Sequence, residues 1–360
     1  MKKMKLAILL SDISKIGGVQ RVTTALVDGL HEEVDITLIS IFYENEFPAF
    51  ELPDGVKVKC LFKEHFDLRK NFFKVSRCLR NIMKSSQYDA ILSSGTGLVS
   101  LISYACLGIP IRKLAWEHQC FYFGKKFGME WLGKKIACQF FDAIIVLTKK
   151  DEQFYKNQHP KAQIKQIYNI VNIHSNHLQC ELSSKKIISV GSLVAQKGFD
   201  MAIEVARKLR ENYPDWQWHI YGDGPDREQL QNKIKEYQLE DFMVLKGSSK
   251  NIVEIYPSYS IYAMTSRHEG LPTVLLEAKL YQLPVVAFDC NCGASDIISD
   301  GENGFLIDCY NLDNFANRLS HFMESQELRE QLAKTSSISE VELSKDYIVH
   351  KWKDALKIES

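Results

Sequence analysis

Two glutamates, Glu269 and Glu277, lie eight positions apart in a segment that runs from Ser266 to the second of them. The apolar run Ile261–Thr265 precedes this segment and predicts a strand. Pro272 predicts the first position of a helix, because its missing N–H would be unpaired there anyway. The N–H groups and the dipole of a helix start favour a diphosphate. Two carboxylates beside such an anion site suit the hydroxyls of a sugar nucleotide.

Three other segments offer groups for the same chemistry. Gly17 and Gly18 follow the first apolar run and precede a helical pattern, so that backbone N–H groups can approach a ligand. Lys197 lies in a loop before a predicted helix, where its ammonium group suits a phosphate. His118 ends another apolar run and could hydrogen-bond a substrate hydroxyl. Each also has an ordinary explanation: a plain turn, a solvated lysine or a structural histidine.

Several familiar sites are missing from the sequence. The glycine spacing around Gly17 is neither G-x-G-x-x-G nor a P-loop, which argues against a dinucleotide-dependent dehydrogenase. There is no D-x-D, H-E-x-x-H, G-x-S-x-G or C-x-x-C, so we expect no bound metal and no cofactor. The nine cysteines are an odd number and sit mostly among apolar residues, which indicates reduced thiols and a cytoplasmic protein.

The elements that must position these residues follow a repeated pattern. Short apolar runs alternate with helical patterns, which is typical of doubly wound parallel sheets in α/β proteins. The pattern restarts at Ile187, and 360 residues exceed what one core usually serves. We therefore expect two Rossmann-like domains facing across a cleft, residues 1–173 and 174–340. The polar stretch His174–Lys186 is the expected linker, and 341–360 is expected to form a further helix.

Five segments together resemble those of family 4 glycosyltransferases, which are retaining enzymes of the GT-B fold. In chain order they are Gly17 to Arg21, Gly191 to Gly198, Gly222-Asp-Gly-Pro225, Glu269 to Glu277, and Asp289 to Gly304. The resemblance covers nearly the whole chain. It implies a final helix that returns to the first domain.

The resemblance also implies roles for the residues. Glu277 is expected to bind the ribose hydroxyls of the donor, and Glu269 to hold the hydroxyls of its sugar. Lys197 would neutralise the leaving diphosphate, Gly18 and Gly17 would approach the distal phosphate, and His118 would lie near the reacting sugar. The remaining donor-binding positions are Ser192, Gly270, Leu271, Pro272, Thr273 and Val274.

One position departs from the family pattern. Relatives commonly carry Arg after the first glycine of the second domain, where this chain has Ser192 after Gly191. Either Lys197 and helix dipoles suffice for the phosphate, or another base such as Arg267 substitutes.

The acceptor side is expected to be cationic. Residues 1–178 hold 25 Lys/Arg and 17 Asp/Glu, against 20 and 28 in the remainder. Two basic, aromatic stretches, Lys63–Lys84 and Phe121–Phe141, could cover a sheet or lie on an anionic bilayer. The resemblance favours the bilayer, because this family often extends lipid-diphosphate-linked glycans. We expect a peripheral protein at the inner face of the plasma membrane that does not bind nucleic acid.

The sequence thus predicts a metal-independent, retaining transferase. It would move a hexose or N-acetylhexosamine from a UDP-sugar to a glycan acceptor, expected to be lipid-linked, in cell-surface polysaccharide biosynthesis. The alternatives are a nucleotide-sugar epimerase of the same fold and a non-catalytic nucleotide-sugar-binding protein.

Overall fold

A computed structural model describes residues 3–45, 48–171, 180–249, 251–333 and 339–358. The chain forms two compact units: Met1–Asn172 together with Glu340–Ser360, and Ile173–Ser339. The boundary expected between residues 173 and 174, and the first part of the expected linker, lie outside the described residues. None of the helices in the described parts of the chain is long and apolar enough to cross a membrane.

The first unit is built on a seven-stranded parallel sheet of order β3-β2-β1-β4-β5-β6-β7. Continuous Ile/Leu/Val runs form its central strands, because both faces of a parallel sheet are covered by helices. The strands are β1 Met4–Asp12, β2 Val34–Phe42, β3 Lys57–Phe62, β4 Ala90–Ser94, β5 Arg112–Trp116, β6 Ala143–Val146 and β7 Gln163–Gln166.

The helices of the first unit alternate with its strands and bury their apolar sides on the sheet. They are α1 Gly18–Leu30, α2 Phe72–Ser86, α3 Val99–Ala105, α4 Met129–Phe140 and α5 Lys149–Lys156. One core lies under α2, α3 and α4, where residues such as Val75, Leu79 and Ile102 are fully buried.

The second unit repeats this design with a six-stranded parallel sheet of order β10-β9-β8-β11-β12-β13. Its core includes the fully buried Trp218 and Phe288. The strands are β8 Lys186–Val190, β9 Gln217–Tyr221, β10 Met243–Gly247, β11 Ile261–Met264, β12 Val285–Asp289 and β13 Phe305–Asp308. The helices are α6 Phe199–Leu209, α7 Arg227–Glu236, α8 Thr273–Leu280, α9 Ala294–Ile297, α10 Leu312–Glu324 and α11 Gln326–Leu332.

The chain ends with two helices that belong to the first unit, α12 Glu340–Leu343 and α13 Lys345–Leu356. Trp352 of α13 meets Trp116 of β5 edge to face, with ring centroids 4.9 Å apart. The Arg112 guanidinium donates to the Ala355 carbonyl at 3.0 Å. Because Trp352 is buried, the final helix is part of this unit's core.

Two local predictions were wrong in detail. The strand β7 was not predicted, because it is a short edge strand whose polar sequence, Gln-Ile-Lys-Gln, has no apolar run. The helix α8 begins at Thr273, and Pro272 is its cap in an extended conformation with ψ of 95°, not the first helical residue.

Candidate active site

Both sheets reverse their winding direction at one place, between β1 and β4 in the first unit and between β8 and β11 in the second. Ligands of open parallel sheets bind beyond the carboxyl ends of strands at this reversal. The predicted residues follow the strands concerned: Gly17 and Gly18 come after β1, Lys197 after β8 and Glu269 after β11. His118 follows β5, which is the neighbour of β4.

Lys197 and Glu269 form an ion pair at the reversal of the second sheet. The Lys197 ammonium lies 2.6 Å from Oε1 of Glu269, and their side chains are 20% and 8% exposed. Across the described residues this is the only hydrogen bond of that ammonium. A lysine has three donors, so two remain for a ligand.

Close packing of two loops, one after β8 and one after β11, brings this pair together. Gly198 has φ of 66°, and a Cβ there would lie 2.0 Å from the Thr265 carbonyl oxygen, so only glycine fits. The Gln196 amide donates to the His268 carbonyl at 3.0 Å, and the Arg267 N–H donates to the Gln196 carbonyl at 2.8 Å. The loop that carries Lys197 is therefore fixed against the loop that carries the first glutamate.

Glu277 lies on the second turn of α8 and is 2% exposed. The Tyr256 hydroxyl donates to its Oε2 at 3.2 Å. Burial, and then the charges of Glu269 and Glu277, raise the pKa of Tyr262 well above its usual value. Both carboxylates are thus near enough to the Tyr262 hydroxyl to affect its pKa, which places the two glutamates in the same part of the second unit. Sequence reasoning missed Tyr256, which follows no motif.

The segment between the glutamates forms the start of α8. Gly270 and Leu271 are buried, and the Pro272 carbonyl accepts from the Leu275 N–H at 2.9 Å. The side chains of Thr273 and Val274 are half-buried on the first turn, where helix N–H groups have no acceptor within the helix. These five residues therefore present the anion-binding end of a helix beside Glu269.

A second glycine makes room for this segment. Gly293 has φ of 93°, and a Cβ there would lie 2.1 Å from the Gly270 carbonyl oxygen. The loop after β12 therefore packs directly on the loop between the glutamates, which explains one glycine of the fifth motif.

Arg267, the base considered as a substitute for the missing arginine at Ser192, is held by an ion pair. Its guanidinium binds both carboxylate oxygens of Asp200, at 2.8 and 2.6 Å, and also donates to the Ala195 carbonyl at 2.6 Å. This bidentate pair raises the pKa of Arg267 further. Ser192 itself is exposed, and its carbonyl accepts from the Val194 N–H. Lys197 is left as the cation closest to Glu269.

In the first unit, hydrogen bonds fix the loop that leads to Gly17. Asp12 is buried and accepts from the Ser14 N–H and hydroxyl at 2.9 and 2.6 Å, and lies 2.8 Å from Nε2 of His65. Oε2 of Glu44 lies 3.8 Å from the same nitrogen and 3.0 Å from the Lys15 ammonium. The side chains of Asp12, Glu44 and His65 have atoms that could bind a metal ion, but here these atoms contact one another.

Gly17 and Gly18 start α1. Gly17 is the cap, with extended backbone, and Gly18 is the first helical residue. Apart from its chain neighbours and the backbone of its own helix, no atom of the described residues lies within 4 Å of a Cβ built on Gly18, which leaves space for a ligand there.

His118 lies just beyond β5. Its Nε2 is 2.9 Å from the hydroxyl of Ser94, and its ring centroid is 4.4 Å from that of Trp116. Burial lowers the pKa of His118 to about 3, so that the imidazole is neutral near pH 7. A neutral ring can offer one donor or one acceptor to a substrate, but no positive charge.

A buried ion pair supports the chain on either side of His118. Glu117 accepts from the Tyr155 hydroxyl at 2.7 Å and lies 3.4 Å from the Lys134 ammonium. Lys134 also donates to the carbonyls of Cys120, Phe121 and Phe123 at 2.8–2.9 Å. The prediction that Lys134 belongs to a basic surface was therefore wrong, because this side chain is enclosed and holds the loop after β5.

The chain resembles known glycosyltransferases along its whole length. Residues 150–337 match the family model "Glycosyl transferases group 1", and residues 16–175 match "Glycosyltransferase Family 4". The amylovoran biosynthesis glycosyltransferase AmsD of Erwinia amylovora is 28% identical over 366 residues, which cover 98% of this chain and 99% of the relative.

A second relative is the N-acetyl-D-galactosaminyltransferase of Campylobacter jejuni whose name gives a diNAcBac-PP-undecaprenol-linked substrate. It is 24% identical over 362 residues, 97% of each chain. Among solved structures, S. aureus TarM in complex with fondaparinux, alpha-GlcNAc-glycerol and UDP has a TM-score of 0.80 at 17% identity, covering 99% of this chain and 100% of that one. The fold is therefore GT-B, as predicted.

Proposed function

The chain belongs to the group 1 glycosyl transferases, and we propose that it is a retaining, metal-independent enzyme that uses a UDP-sugar. The donor would supply a hexose or an N-acetylhexosamine, and the acceptor would be a glycan of cell-surface polysaccharide assembly. The arrangement of Lys197, Glu269 and Glu277 around the start of α8 carries this proposal. The relative named for amylovoran biosynthesis and the neighbour solved with UDP support it.

Each of these groups has a part that its surroundings favour. The two remaining donors of Lys197 would bind the diphosphate together with the first N–H groups of α8. Glu269, held by that lysine, would accept from the hydroxyls of the donor sugar. Glu277 would accept from both ribose hydroxyls while Tyr256 fixes its second oxygen.

The reaction would need no nucleophilic side chain. The bond between the anomeric carbon and the UDP oxygen breaks, and the acceptor oxygen bonds to that carbon on the same face. The leaving phosphate takes the acceptor's proton, and Lys197 with the N–H groups of α8 stabilises its charge. Glu269 is thus assigned to binding and orientation, not to a covalent intermediate.

Thermal unfolding with excess UDP, GDP, ADP or NAD tests the donor class. A ligand present at 100 times its Kd adds about 2.7 kcal/mol to the stability of the state that binds it. We expect UDP alone to raise the midpoint, and Lys197→Ala to remove the effect. Stabilisation by GDP would overturn the UDP assignment, and stabilisation by NAD, or by none of the four, would overturn the nucleotide-sugar proposal.

A panel of UDP-glucose, UDP-galactose, UDP-N-acetylglucosamine and UDP-N-acetylgalactosamine then tests the reaction. Release of UDP with a new glycosidic product would support a transferase, and Glu277→Ala should abolish it. Conversion of the donor to its epimer without an acceptor would show an epimerase, and UDP-sugar binding without turnover would show a binding protein.

We further propose that the outer face of α2, α3 and α4 lies on an anionic bilayer. The two basic stretches of the sequence lie on α2 and around α4, and α3 packs between these helices. Large apolar side chains are exposed on or beside these helices: Phe73 on α2 is 69% exposed, Leu107 in the turn after α3 is 70% exposed, and Phe140 on α4 is 65% exposed. Lysines and arginines on the same helices, Arg77 and Lys135 among them, are exposed beside them.

The membrane proposal predicts vesicle binding that depends on both charge and apolar side chains. The full chain should sediment with vesicles that contain phosphatidylglycerol, and less with neutral phosphatidylcholine vesicles. Phe73→Ser combined with Leu107→Ser should weaken sedimentation, whereas Tyr310→Ser, an exposed aromatic of the second unit, should not. Equal sedimentation of all variants would overturn this surface.

A further inference from the structure

A chain of three hydroxyl and imidazole groups crosses the reversal point of the first sheet. The Thr23 hydroxyl on α1 lies 3.1 Å from the Ser94 hydroxyl at the end of β4. The Ser94 hydroxyl in turn lies 2.9 Å from Nε2 of His118. Thr23 is fully buried and Ser94 is 6% exposed, so the bond between the two hydroxyls is shielded from water. No motif in the sequence singles out Thr23 or Ser94.

The direction of the hydrogen bonds follows from counting protons. Over the described residues, Ser94 is the only hydrogen-bond partner of the Thr23 hydroxyl. A buried hydroxyl proton without an acceptor is costly, so Thr23 donates to Ser94. Ser94 has one proton of its own, and this proton goes to Nε2 of His118. That nitrogen is then the acceptor of the neutral ring, and the hydrogen of the imidazole is on Nδ1.

We propose that Ser94, supported by Thr23, is a positioning residue that holds His118 in the tautomer with hydrogen on Nδ1. This N–H is then the donor that the ring keeps for an oxygen of the substrate. The imidazole ring of His118 also packs on the ring of Trp116, with the two centroids 4.4 Å apart, and this contact helps to fix its plane. Burial keeps the ring neutral, so that the tautomer, not protonation, decides what it offers. This inference rests on the role of His118 in the proposed transfer reaction.

Nitrogen NMR of the full chain labelled with ¹⁵N-histidine reads the tautomer directly, without any substrate. His118→Gln assigns the signal among the ten histidines. We expect the wild type to carry hydrogen on Nδ1 and Ser94→Ala to shift it towards Nε2. Ser94→Thr, which keeps the hydroxyl and suits a strand, should retain the wild-type spectrum. Hydrogen on Nε2 in the wild type would overturn the inference.

Turnover of the best donor from the UDP-sugar panel tests the consequence. Losing one neutral hydrogen bond should lower kcat about five- to tenfold in Ser94→Ala, with the KM of the donor nearly unchanged. Thr23→Val should lower kcat less than Ser94→Ala does, and Ser94→Thr should keep the kcat of the wild type. The matched control is Ser93→Ala, which removes a buried hydroxyl of the same strand that donates to the Gly95 carbonyl at 2.7 Å.

The outcomes separate this inference from the proposed function. If Ser94→Ala behaves like Ser93→Ala in both spectrum and kcat, the positioning role is wrong while the transfer reaction stands. Wild-type turnover by His118→Gln would overturn the inference together with the assignment of His118. Absence of UDP binding in the thermal experiment would overturn the proposed function and leave the tautomer result untouched.

Discussion

Two lysine–glutamate pairs, one in each unit, lie beside strand ends and differ in what the remaining donors of the lysine do. In the first unit, Lys134 lies 3.4 Å from Glu117, and both side chains are at most 5% exposed. In the second unit, Lys197 lies 2.6 Å from Glu269 and is 20% exposed. The first lysine fills its donors with three carbonyls, whereas the second has one protein partner among the described residues.

This is the difference that we expect between an ion pair that only supports the fold and one that also binds substrate. A buried pair whose groups are all satisfied fixes a loop, and removing one partner leaves an uncompensated charge. An ammonium on a side chain that is 20% exposed and that keeps open donors can bind an anion without breaking the fold. Similar residue types at similar places in the fold therefore predict opposite results when they are mutated.

The largest effect is expected from Lys134→Met, because it leaves Glu117 buried without its cation. We expect a loss of about 3–5 kcal/mol of unfolding free energy, measured as a lower thermal midpoint. The matched control is Lys135→Met at the next position, an exposed lysine that donates to the Gln158 side chain at 2.7 Å, which should change stability by less than about 0.5 kcal/mol. Equal midpoints for the two variants would refute the structural role.

Lys197→Ala should show the reverse pattern of large kinetic and small structural effects. Removing a group that stabilises the leaving diphosphate should lower kcat about 100- to 1,000-fold. The midpoint without ligand should fall by less than in Lys134→Met, because this pair is more exposed than the pair of Lys134. Lys208→Ala on α6, which breaks an exposed pair with Asp313 of α10, is the control with wild-type turnover. A variant at 197 that turns over within about threefold of the wild type contradicts the assignment.

A smaller effect is expected for the hydrogen bond from Tyr256 to Glu277. Tyr256→Phe keeps the buried ring and removes the donor 3.2 Å from Oε2. Because this hydrogen bond is already present before UDP binds, only the loss of a fixed Glu277 carboxylate weakens binding, and the Kd for UDP should rise about two- to fivefold in titration calorimetry. Tyr281→Phe, whose ring lies 5.5 Å from that of Tyr256 between centroids, should leave the Kd unchanged. An unchanged Kd in both variants argues against Glu277 as the ribose ligand.

The sequence allowed much of the fold to be predicted, because buried parallel strands need continuous apolar runs, which can be recognised in the sequence. The edge strand Gln163–Gln166 has little apolar surface to bury, and its sequence contains no such run. In the site, Glu269, Glu277 and Lys197 were predicted from motifs, and the structure joins them as one cluster around α8.

Contacts between residues far apart in sequence could not be predicted in the same way. Thr23 and Ser94 are 71 positions apart, and only the order of strands in the sheet brings them together. Lys134 has the spacing of an exposed basic helix, and its burial depends on Glu117, which lies on a different element. Sequence patterns therefore miss the side chains that position site residues without belonging to a motif.

The smallest effect concerns pH and tests whether the histidine beside β5 is neutral. His118 has its pKa lowered to about 3 in the folded state, below the ordinary value of 6.5. The unfolded chain therefore binds a proton below pH 6.5 that the folded chain refuses, and stability falls as the pH drops from 6.5 towards 3. Between pH 6.5 and 5, the thermal midpoint of His118→Gln should fall less steeply than that of the wild type. Between pH 7 and 8, the midpoints of the two proteins should change with pH at the same slope. Because the folded ring does not titrate between pH 5.5 and 8, the pH profile of kcat should have no inflection from this residue in that range. An inflection near pH 6.5 that disappears in His118→Gln would mean that this ring carries a positive charge during the reaction. The first unit would then supply a cation of its own, and the contrast with Lys197 would no longer hold.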